Sequence, residues 1–324
     1  SSKFFITQTK FQNNEDILIK NNNEIFLDKI KYGIIRGFDL SEDKKIFSQS
    51  LFSISNIKKS VRNMIKEKVQ NFLNAPLESI TFGDVSKSKI NDETFMYWGE
   101  EPVGKIKKGI SVYRPTADAL NSEYLSSEDK LLISAKLQKW LDNEISDTLH
   151  PLNKNLDENM NSEVRAIAFN CLENFGNYPV EKFKDEIKSI NQESKIQLSK
   201  LGIRVGAKFF FIPHLLKKKP LELCAVLWKT FYENDNDNFL PIPLNGRVSF
   251  TSEVNMPNHY WQSIGYINIK KFAFRIDMFE KIFFIARQKL KKGPFLESSD
   301  LMNPIGCNSE QLKDILTFCG YEYL

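Results

Sequence analysis

The spacing of hydrophobic residues in the first half of the chain changes twice from strand-like to helical. Residues 15–40 alternate between apolar and polar side chains, as expected for half-buried strands. From Asn56 to Leu73 the apolar residues recur every three or four positions, which predicts an amphipathic helix. The same order returns in residues 78–114 and then in a helical pattern from Ser127 to about Leu149. Two consecutive units, each a sheet followed by a helix, are therefore predicted.

These two units are similar enough along the sequence to suggest a duplication. Aligning Gly33 with Gly104, 71 positions apart, superposes the isoleucine two residues later and the basic residue that follows it. The same alignment places Ser55-Asn56, candidate caps of the first helix, on Ser126-Ser127 before the second. A duplicated unit explains this register, and a chance similarity between two meanders is the alternative.

The second half of the chain shows mostly helical spacing and begins after a polar stretch near residue 153. Residues 203–212 are rich in β-branched and aromatic side chains, which predicts a buried strand or strand pair. Helices are predicted over residues 162–174, 180–198, 220–231 and 278–290, a β-hairpin over 264–275, and an irregular surface loop over 241–263.

Near its end the chain carries a pattern of two short helices, Ser298–Asn303 and Ser309–Phe318, around Gly306. Such a pair is typical of a helix-turn-helix, whose second helix must present several basic or amide groups to read nucleic acid. Gln311 and Lys313 are the candidates on that helix, so a packing role is favoured.

The predicted fold class is α+β, with two small β-meander-plus-helix units followed by a mainly α-helical region that carries a β-hairpin and a C-terminal helix-turn-helix-like pair. The predicted domains are residues 1–76, 77–152 and 153–324. Because the chain begins at Ser1-Ser2 and enters a strand-like pattern almost at once, we interpret it as part of a longer polypeptide.

Composition narrows the class of protein without identifying it. The 45 basic and 41 acidic residues give a net charge of +4, less than a dedicated nucleic-acid-binding domain usually carries. Four cysteines, none in a CxxC pair, argue against a zinc site and a secreted disulfide framework, and favour a reducing, cytoplasmic location. The sequence contains no apolar run long enough to span a bilayer, so no membrane partner is expected.

Motifs for catalysis are missing from the sequence. A helicase motor requires a GxxxxGK[ST] loop, whose backbone N–H groups wrap the phosphates, and the chain has none. His150, His214 and His259 lack Cys, Asp or Glu at metal-ligand spacing. Asp277 and Glu280 are predicted to form local ion pairs with neighbouring basic residues. We therefore expect neither a catalytic residue nor a cofactor in this chain.

A family resemblance is carried by residues 201–220, which read LGIRVGAKFFFIPHLLKKKP. This segment resembles the C-terminal accessory region of bacterial superfamily-2 helicase-related proteins, kin to the RNA helicase of the mitochondrial degradosome. That region has a Leu-Gly-Val-Arg-Phe-Gly…Leu-Pro…Leu-Leu-Lys-Pro signature, which is similar to Leu201–Gly206, Ile212-Pro213 and Leu215–Lys217 here. Further similar stretches are Trp98–Glu100, Leu149–Leu152, Phe274–Lys281, Ile305–Asn308 and Cys319–Tyr321.

The resemblance runs from about Ile30 to the end, and it implies an accessory, non-motor region that binds RNA or DNA or docks on the motor domains of the same polypeptide. The parent protein would then be an ATP-dependent helicase, with ATP and magnesium bound only in motor domains outside this chain. A protein-interaction scaffold without nucleic-acid binding is the alternative.

Phosphate contact is the chemistry that this context suggests for the basic residues of the second half. Lys217-Lys218-Lys219 precede the helix predicted from Pro220, where free backbone N–H groups also favour an anion. A solvated lysine cluster is the alternative. Phe209–Phe211 are candidates for base stacking, although consecutive phenylalanines more often belong to a core. The predicted nucleic-acid-binding residues are Arg204, Lys208, Lys217, Lys218, Lys219, Arg275, Arg287, Lys291 and Lys292.

Overall fold

The computed structural model of the chain describes residues 7–8, 17–19, 23–27, 30–43, 51–156, 159–183, 190–232 and 236–322. The chain forms two compact units. The first unit comprises Ser1–Gly83 and Glu93–Asn143, and the second comprises Asp84–Asp92 and Glu144–Leu324. Both predicted sheet-plus-helix segments contribute to the first unit, and the boundaries proposed at residues 76 and 152 stay predictions.

The first sheet of the first unit is a five-stranded antiparallel meander followed by a long helix. Its strands are β1 (Thr7–Gln8), β2 (Ile17–Ile19), β3 (Glu24–Leu27), β4 (Ile30–Arg36) and β5 (Asp39–Glu42), paired in chain order. Helix α1 (Leu51–Asn74) follows. Its apolar stripe of Ile57, Val61, Ile65, Val69 and Phe72 is completely or almost completely buried, so the predicted helix is confirmed.

The second sheet repeats this plan with four strands and a helix. The strands are β6 (Ile80–Phe82), β7 (Thr94–Trp98), β8 (Glu101–Ser111) and β9 (Arg114–Ala119), again antiparallel and in chain order. Helix α2 (Ser127–Thr148) follows. Ser126 caps it as predicted, because its Oγ accepts a hydrogen bond from the Asp129 N–H at 3.0 Å, while the Asp129 carboxylate accepts one from the Ser126 N–H at 3.1 Å.

Strand register supports the duplication. Ile25 of β3 pairs with Gly33 of β4, and Met96 of β7 pairs with Gly104 of β8. Each pairing shifts register immediately afterwards, between Ile25 and Phe26 in one sheet and between Met96 and Tyr97 in the other. A bulge at the same place in both hairpins is a conformational feature that two unrelated meanders have no reason to share.

Both aligned glycines are required for the same physical reason. A β-carbon on Gly33 would lie 2.6 Å from the carbonyl oxygen of Ser41 in β5. One on Gly104 would lie 2.7 Å from the carbonyl oxygen of Asp118 in β9. The next strand therefore approaches closely in each sheet, and only glycine leaves room for its backbone.

The predicted alignment of the helix caps is wrong. Helix α1 begins at Leu51, so Ser55 and Asn56 lie inside the helix and do not precede it. The buried stripe of α2, Ile133, Leu137, Leu141 and Ile145, matches that of α1 at a larger offset than the glycines do. The reason is that β8 has 11 residues whereas β4 has 7, so the second repeat carries a longer hairpin before its helix.

The second unit is built from short elements. Its helices are α3 (Ser162–Glu173), α4 (Gln192–Lys200), α5 (Lys218–Phe231), α6 (Asn258–Ser263), α7 (Ile276–Leu290), α8 (Ser299–Met302) and α9 (Ser309–Phe318). Its strands are β10 (Asn177–Pro179), β11 (Arg204–Val205), β12 (Phe209–Phe211), β13 (Ser249–Thr251), β14 (Tyr266–Ile269) and β15 (Phe272–Arg275). They form two antiparallel sheets, β10-β12-β11 and β13-β15-β14. The predicted α+β fold class is confirmed.

Two predictions about the second unit are wrong in part. The helix predicted over 180–198 begins only at Gln192, where the Asn191 side chain accepts the Ser194 N–H at 2.8 Å, and residues 184–189 lie outside the described residues. The loop predicted over 241–263 contains β13 and α6. A three-residue strand and a six-residue helix are too short to produce a readable hydrophobic period.

The last two helices pack against α7. Phe279, Ile282 and Ala286 of α7 are fully buried in one cluster with Leu312 and Ile315 of α9. A capping box starts α9, in which the Asn308 side chain accepts the Gln311 N–H and the Gln311 side chain accepts the Asn308 N–H. The favoured packing role of this helix pair is confirmed. Within the described residues, no helix is both long enough and apolar enough to pass through a bilayer.

Candidate nucleic-acid interface

The segment with the family resemblance forms a strand pair whose connecting turn is held by one carboxylate. Glu280 of α7 accepts the backbone N–H groups of Ala207, Lys208 and Phe209 at 2.7, 2.8 and 2.7 Å. We call this arrangement the Glu280 nest. A β-carbon on Gly206 would lie 2.4 Å from Cδ of Glu280, so glycine is needed for the carboxylate to fit. Lys208 and Phe209 are thereby placed by a contact with a distant helix.

Glu280 therefore acts as an anchor for the turn. Burial raises the pKa of Glu280, and the three N–H groups together with Lys208 oppose that shift. The prediction that Glu280 forms a local ion pair is wrong, because its carboxylate oxygens are directed to backbone N–H groups. For Asp277 the prediction is confirmed. Arg275 donates to it from Nε and Nη2 at 2.7 and 2.9 Å, and this pairing raises the pKa of Arg275.

The predicted basic residues do not all have the same surroundings. Lys208 and Arg275 are half-buried. Lys218 lies 3.9 Å from Glu222, and Lys219 lies 2.8 Å from Glu144. Exposed ion pairs of this kind contribute about 0–1 kcal/mol, so the lysines can exchange them for a phosphate. The exposed members of the set are Arg204, Lys217, Lys218, Lys219, Arg287, Lys291 and Lys292.

The lysine triplet lies at the start of α5, as predicted, but the helix begins at Lys218 and not at Pro220. Lys217 is the residue before the first turn, and Pro220 is the third residue of the helix, where a missing N–H costs no intrahelical hydrogen bond. The 14-residue helix thus presents its N-terminus together with three exposed ammonium groups.

Lys208 and Arg287 each lie near one of two neighbouring aromatic rings, Phe283 and Tyr321. The Lys208 ammonium lies 5.0 Å from the centre of the Phe283 ring, and Phe283 lies 6.2 Å from Tyr321. Arg287 is close enough to Tyr321 to oppose the rise in the pKa of that phenol caused by burial. The Phe283 ring therefore lies under the ammonium of a predicted binding residue.

A cleft of about 410 Å³ adjoins Lys208 in the second unit. Rings of Phe209, Phe279 and Phe318 follow one another along it with centroids 6.0 Å apart. Of the three consecutive phenylalanines, Phe210 and Phe211 are core residues, whereas Phe209 lines the cleft, where base stacking stays a prediction. The cleft is lined by Asn177, Pro179, Glu181, Lys208, Phe209, Asn258, Trp261, Gln262, Tyr266, Ile267, Asn268, Ile276, Phe279 and Phe318.

The amide residues of this cleft were not singled out from the sequence. Asn177 lies on β10 and Gln262 on α6, and they bond reciprocally: Asn177 Nδ2 donates to the Gln262 carbonyl at 2.6 Å, and Gln262 Nε2 donates to the Asn177 carbonyl at 3.1 Å. Isolated asparagines and glutamines carry no sequence signal until the fold places them together.

Four titratable residues singled out in the sequence lie outside the cleft lining. Neither Asp277, Glu280, His214 nor His259 lines the cleft. His259 Nδ1 accepts the Trp228 indole N–H at 2.7 Å, and His214 packs its ring 4.4 Å from that of His150. In the part of the chain that the structure describes, no group of three or more His, Cys, Asp and Glu residues could hold a metal ion.

Comparisons with protein-family models, with curated proteins and with solved structures find no match for this chain. The function is therefore argued from the geometry of the second unit.

Proposed function

We propose that this chain is an accessory, non-motor region of a helicase-like protein and that its second unit binds single-stranded RNA or DNA. The observation that carries the proposal is the cleft lined by aromatic rings beside Lys208. Aromatic rings stack on bases of any identity, and adjacent cations hold the phosphates, which is the usual combination at a single-stranded site.

Phosphate contacts extend from the cleft along α7. Lys208 and Arg287 flank Phe283 and Tyr321, and exposed Lys291 and Lys292 follow at the end of the helix. Lys217–Lys219 add a second group of cations at the start of α5. Each cation that contacts a phosphate releases a counterion, so binding should weaken steeply as salt is added.

The helicase context rests on the resemblance of residues 201–220 and the matches that follow it. In this context the ATP and magnesium sites belong to motor domains of the same polypeptide, and the accessory region holds the strand near them or docks on them. A reducing, cytoplasmic location is consistent with Cys171, Cys224, Cys307 and Cys319, which are all buried free thiols.

Fluorescence anisotropy with labelled single-stranded RNA and DNA at two salt concentrations tests the proposal. We expect binding at low salt, and Lys208→Gln and Arg287→Gln should each weaken it and reduce the salt slope by about 1. Lys139→Gln is the matched control, since Lys139 is exposed on α2 in the first unit. The absence of any binding at low salt would reject the proposal.

A protein-interaction scaffold is the second candidate, favoured by exposed apolar residues. Phe284 and Leu290 of α7 and Leu296 just after it are 61%, 52% and 88% exposed. If this surface docks on a motor domain, Phe284→Ser with Leu296→Ser should release the region from the motor part of the parent protein and leave nucleic-acid affinity unchanged. Unchanged association with the motor would exclude this surface.

A further inference from the structure

Helix α6 has two faces with different neighbours. The residues of its first face line the cleft and are spaced three and four positions apart: Asn258, Trp261 and Gln262. On the other face, His259 and Tyr260 pack against Trp228 of α5, with ring centroids 5.3 and 4.8 Å from that of the indole. A helix of six residues is too short to be stable alone. The position of the cleft residues on α6 therefore depends on the contacts that the helix makes with its neighbours.

The contact between α6 and α5 includes one hydrogen bond whose direction is fixed by chemistry. Nε1 of Trp228 lies 2.7 Å from Nδ1 of His259. An indole nitrogen can only donate, so Nδ1 of His259 is unprotonated and the neutral ring carries its proton on Nε2. Because Trp228 is only 1% exposed, water is a poor substitute acceptor for its N–H. The hydrogen bond therefore exists only while His259 is neutral.

A proton on Nδ1 of His259 breaks this contact. The imidazolium ion donates from both ring nitrogens, so two N–H groups would face each other and the buried indole would lose its acceptor. Partial burial lowers the pKa of His259, and the acceptor role of Nδ1 acts in the same direction. No charged side chain among the described residues changes this pKa, and the titratable group packed on the ring is the phenol of Tyr232, at the end of α5, 4.8 Å away. His259 keeps contact with water, so it can take up the proton.

We propose that His259 is a positioning residue of the cleft that acts only as a neutral imidazole. When His259 takes up a proton, it releases Trp228, and α6 loses its hydrogen bond to α5 together with the fixed position of Trp261 and Gln262. Strand binding should therefore weaken as the pH falls. The general effect of acid is the opposite, because protonated side chains add positive charge and strengthen phosphate contacts. The inference deepens the proposed function and rests on it for the effect on binding, whereas the coupling of α6 to His259 can be measured without a strand.

Heteronuclear NMR of the full chain between pH 7.5 and pH 5 measures this coupling directly. The chain has four tryptophans and three histidines, so few indole N–H and imidazole C–H signals need to be assigned. We expect the indole signals of Trp228 and Trp261 to shift with the same midpoint as the ring signal of His259, below the ordinary 6.5. Trp98 and Trp140 belong to the first unit and are internal controls that should not follow this midpoint.

One variant shows whether the indole donor holds His259 in its neutral form. Trp228→Phe removes the donor and keeps a ring, so His259 should titrate at a higher pH than in the wild type, closer to 6.5. Trp98→Phe is the matched control and should leave the midpoint of His259 unchanged. A wild-type His259 that titrates at or above 6.5, or a Trp228 signal that does not follow its titration, would overturn the proposal.

Fluorescence anisotropy at pH 7.5 and pH 5 measures the consequence for binding, with labelled oligouridylate as the probe because its base does not titrate in this range. We expect the affinity of the wild type to fall about fivefold, the equivalent of one hydrogen bond. His259→Asn places a non-titrating acceptor near the position of Nδ1, so it should bind like the wild type at pH 7.5 and lose nothing at pH 5. His259→Leu has no acceptor and should bind weakly at both pH values.

His214→Asn is the matched control for the binding experiment. Burial also lowers the pKa of His214, but its ring does not contact α6, so this variant should keep the loss of affinity at pH 5. Thermal melting at both pH values shows whether each variant is folded.

The two proposals fail in different ways. If the strand binds but its affinity stays level or rises as the pH falls, with His259→Asn equal to the wild type, the positioning role is overturned and the proposed function stands. If no strand binds at any pH while the Trp228 and Trp261 signals follow His259, the proposed function is overturned and the pH-dependent position of α6 stands. If neither binding nor coupled titration is observed, both proposals are wrong.

Discussion

The two units of this protein achieve stability in different ways. The first repeats one plan, in which a bulged hairpin with an obligatory glycine is followed by a helix with a regular buried stripe. The second depends on single polar contacts between segments far apart in the chain. Examples are the Glu280 nest, the reciprocal Asn177–Gln262 pair and the Trp228–His259 hydrogen bond.

The candidate site lies in the second unit, which contains the cleft. In the described part of the chain, the first unit also contains buried polar atoms without a hydrogen-bond partner, among them Ser60 Oγ and the Tyr124 hydroxyl, but neither residue lines the cleft. Irregular packing of short elements requires buried polar groups, and those that the protein does not satisfy internally are available for binding. Asn177, Trp261 and Asn268 line the cleft, and each carries one buried polar atom without a hydrogen-bond partner among the described residues.

The largest effect should come from removing the anchor of the second unit. Glu280→Met leaves the N–H groups of Ala207, Lys208 and Phe209 without their acceptor, and we expect a loss of about 3 kcal/mol or more in unfolding free energy. Urea unfolding and hydrogen exchange at these amides measure it. Glu67→Met on the exposed face of α1 is the control and should stay within about 0.5 kcal/mol. Equal costs for the two variants would contradict the anchoring role.

The repeat predicts matched effects at its two glycines. Gly33→Ala and Gly104→Ala each force a β-carbon against a backbone oxygen of the next strand, and overpacking of this kind costs about 1–3 kcal/mol. The cost should be larger at Gly104, where the β-carbon would also lie 2.2 Å from the Leu137 side chain. Gly99→Asn is the control, because nothing lies within 4 Å of that position and Asn tolerates its positive φ. A tolerated alanine at either glycine would break the equivalence of the two sheets.

A buried lysine of the second unit should be dispensable for stability. Lys229 is 7% exposed, its ammonium donates to Ser88 Oγ, and burial lowers its pKa to about 8. We expect Lys229→Met to stabilise the protein by about 1–3 kcal/mol at pH 7, since an apolar side chain avoids burying a charge.

The gain from Lys229→Met has a definite dependence on pH. Below pH 8 the lysine is charged in both the folded and unfolded states, and the full cost of burial is present. Between pH 8 and the ordinary pKa of 10.5 the folded form loses its proton first, so the advantage of methionine should shrink. Thermal melting at pH 7 and pH 10 checks this, and an advantage that does not change with pH would contradict it.

The smallest effect concerns two histidines of the second unit. Burial lowers the pKa of His214, with contributions from His150 and Lys217, and burial also lowers the pKa of His259. Both rings are therefore neutral more often in the folded state, so their contribution to stability is complete above pH 6.5 and is lost as the pH falls through the folded pKa values. Melting curves from pH 7.5 to pH 5 should show this decline, and His214→Gln should make it shallower. A decline that is unchanged in this variant would remove His214 from the explanation.

The sequence by itself determined the elements with a clear hydrophobic period. Helices α1 and α2, helix α5 and the hairpin around Lys270-Lys271 all followed from local spacing and turn chemistry. The match between Gly33 and Gly104, which suggested the duplication, was also visible in the sequence. The strand register around the two glycines supports the duplication. Each of these features depends on residues within a few turns or one hairpin of each other, so the pattern along the chain contains the needed information.

Only the tertiary structure decided the surroundings of the candidate site. The sequence does not indicate that Asn177, Glu280 and Trp261 belong to the candidate site. They lie there because the fold joins segments about 70 to 85 residues apart, as in the Asn177–Gln262 and Ala207–Glu280 contacts. The fold also gives the predicted binding residues different surroundings. Some of these cations pair with carboxylates, and others lie near aromatic rings. Hydrogen bonds between distant segments depend on distances of a few tenths of an ångström, which no local spacing of residue types encodes.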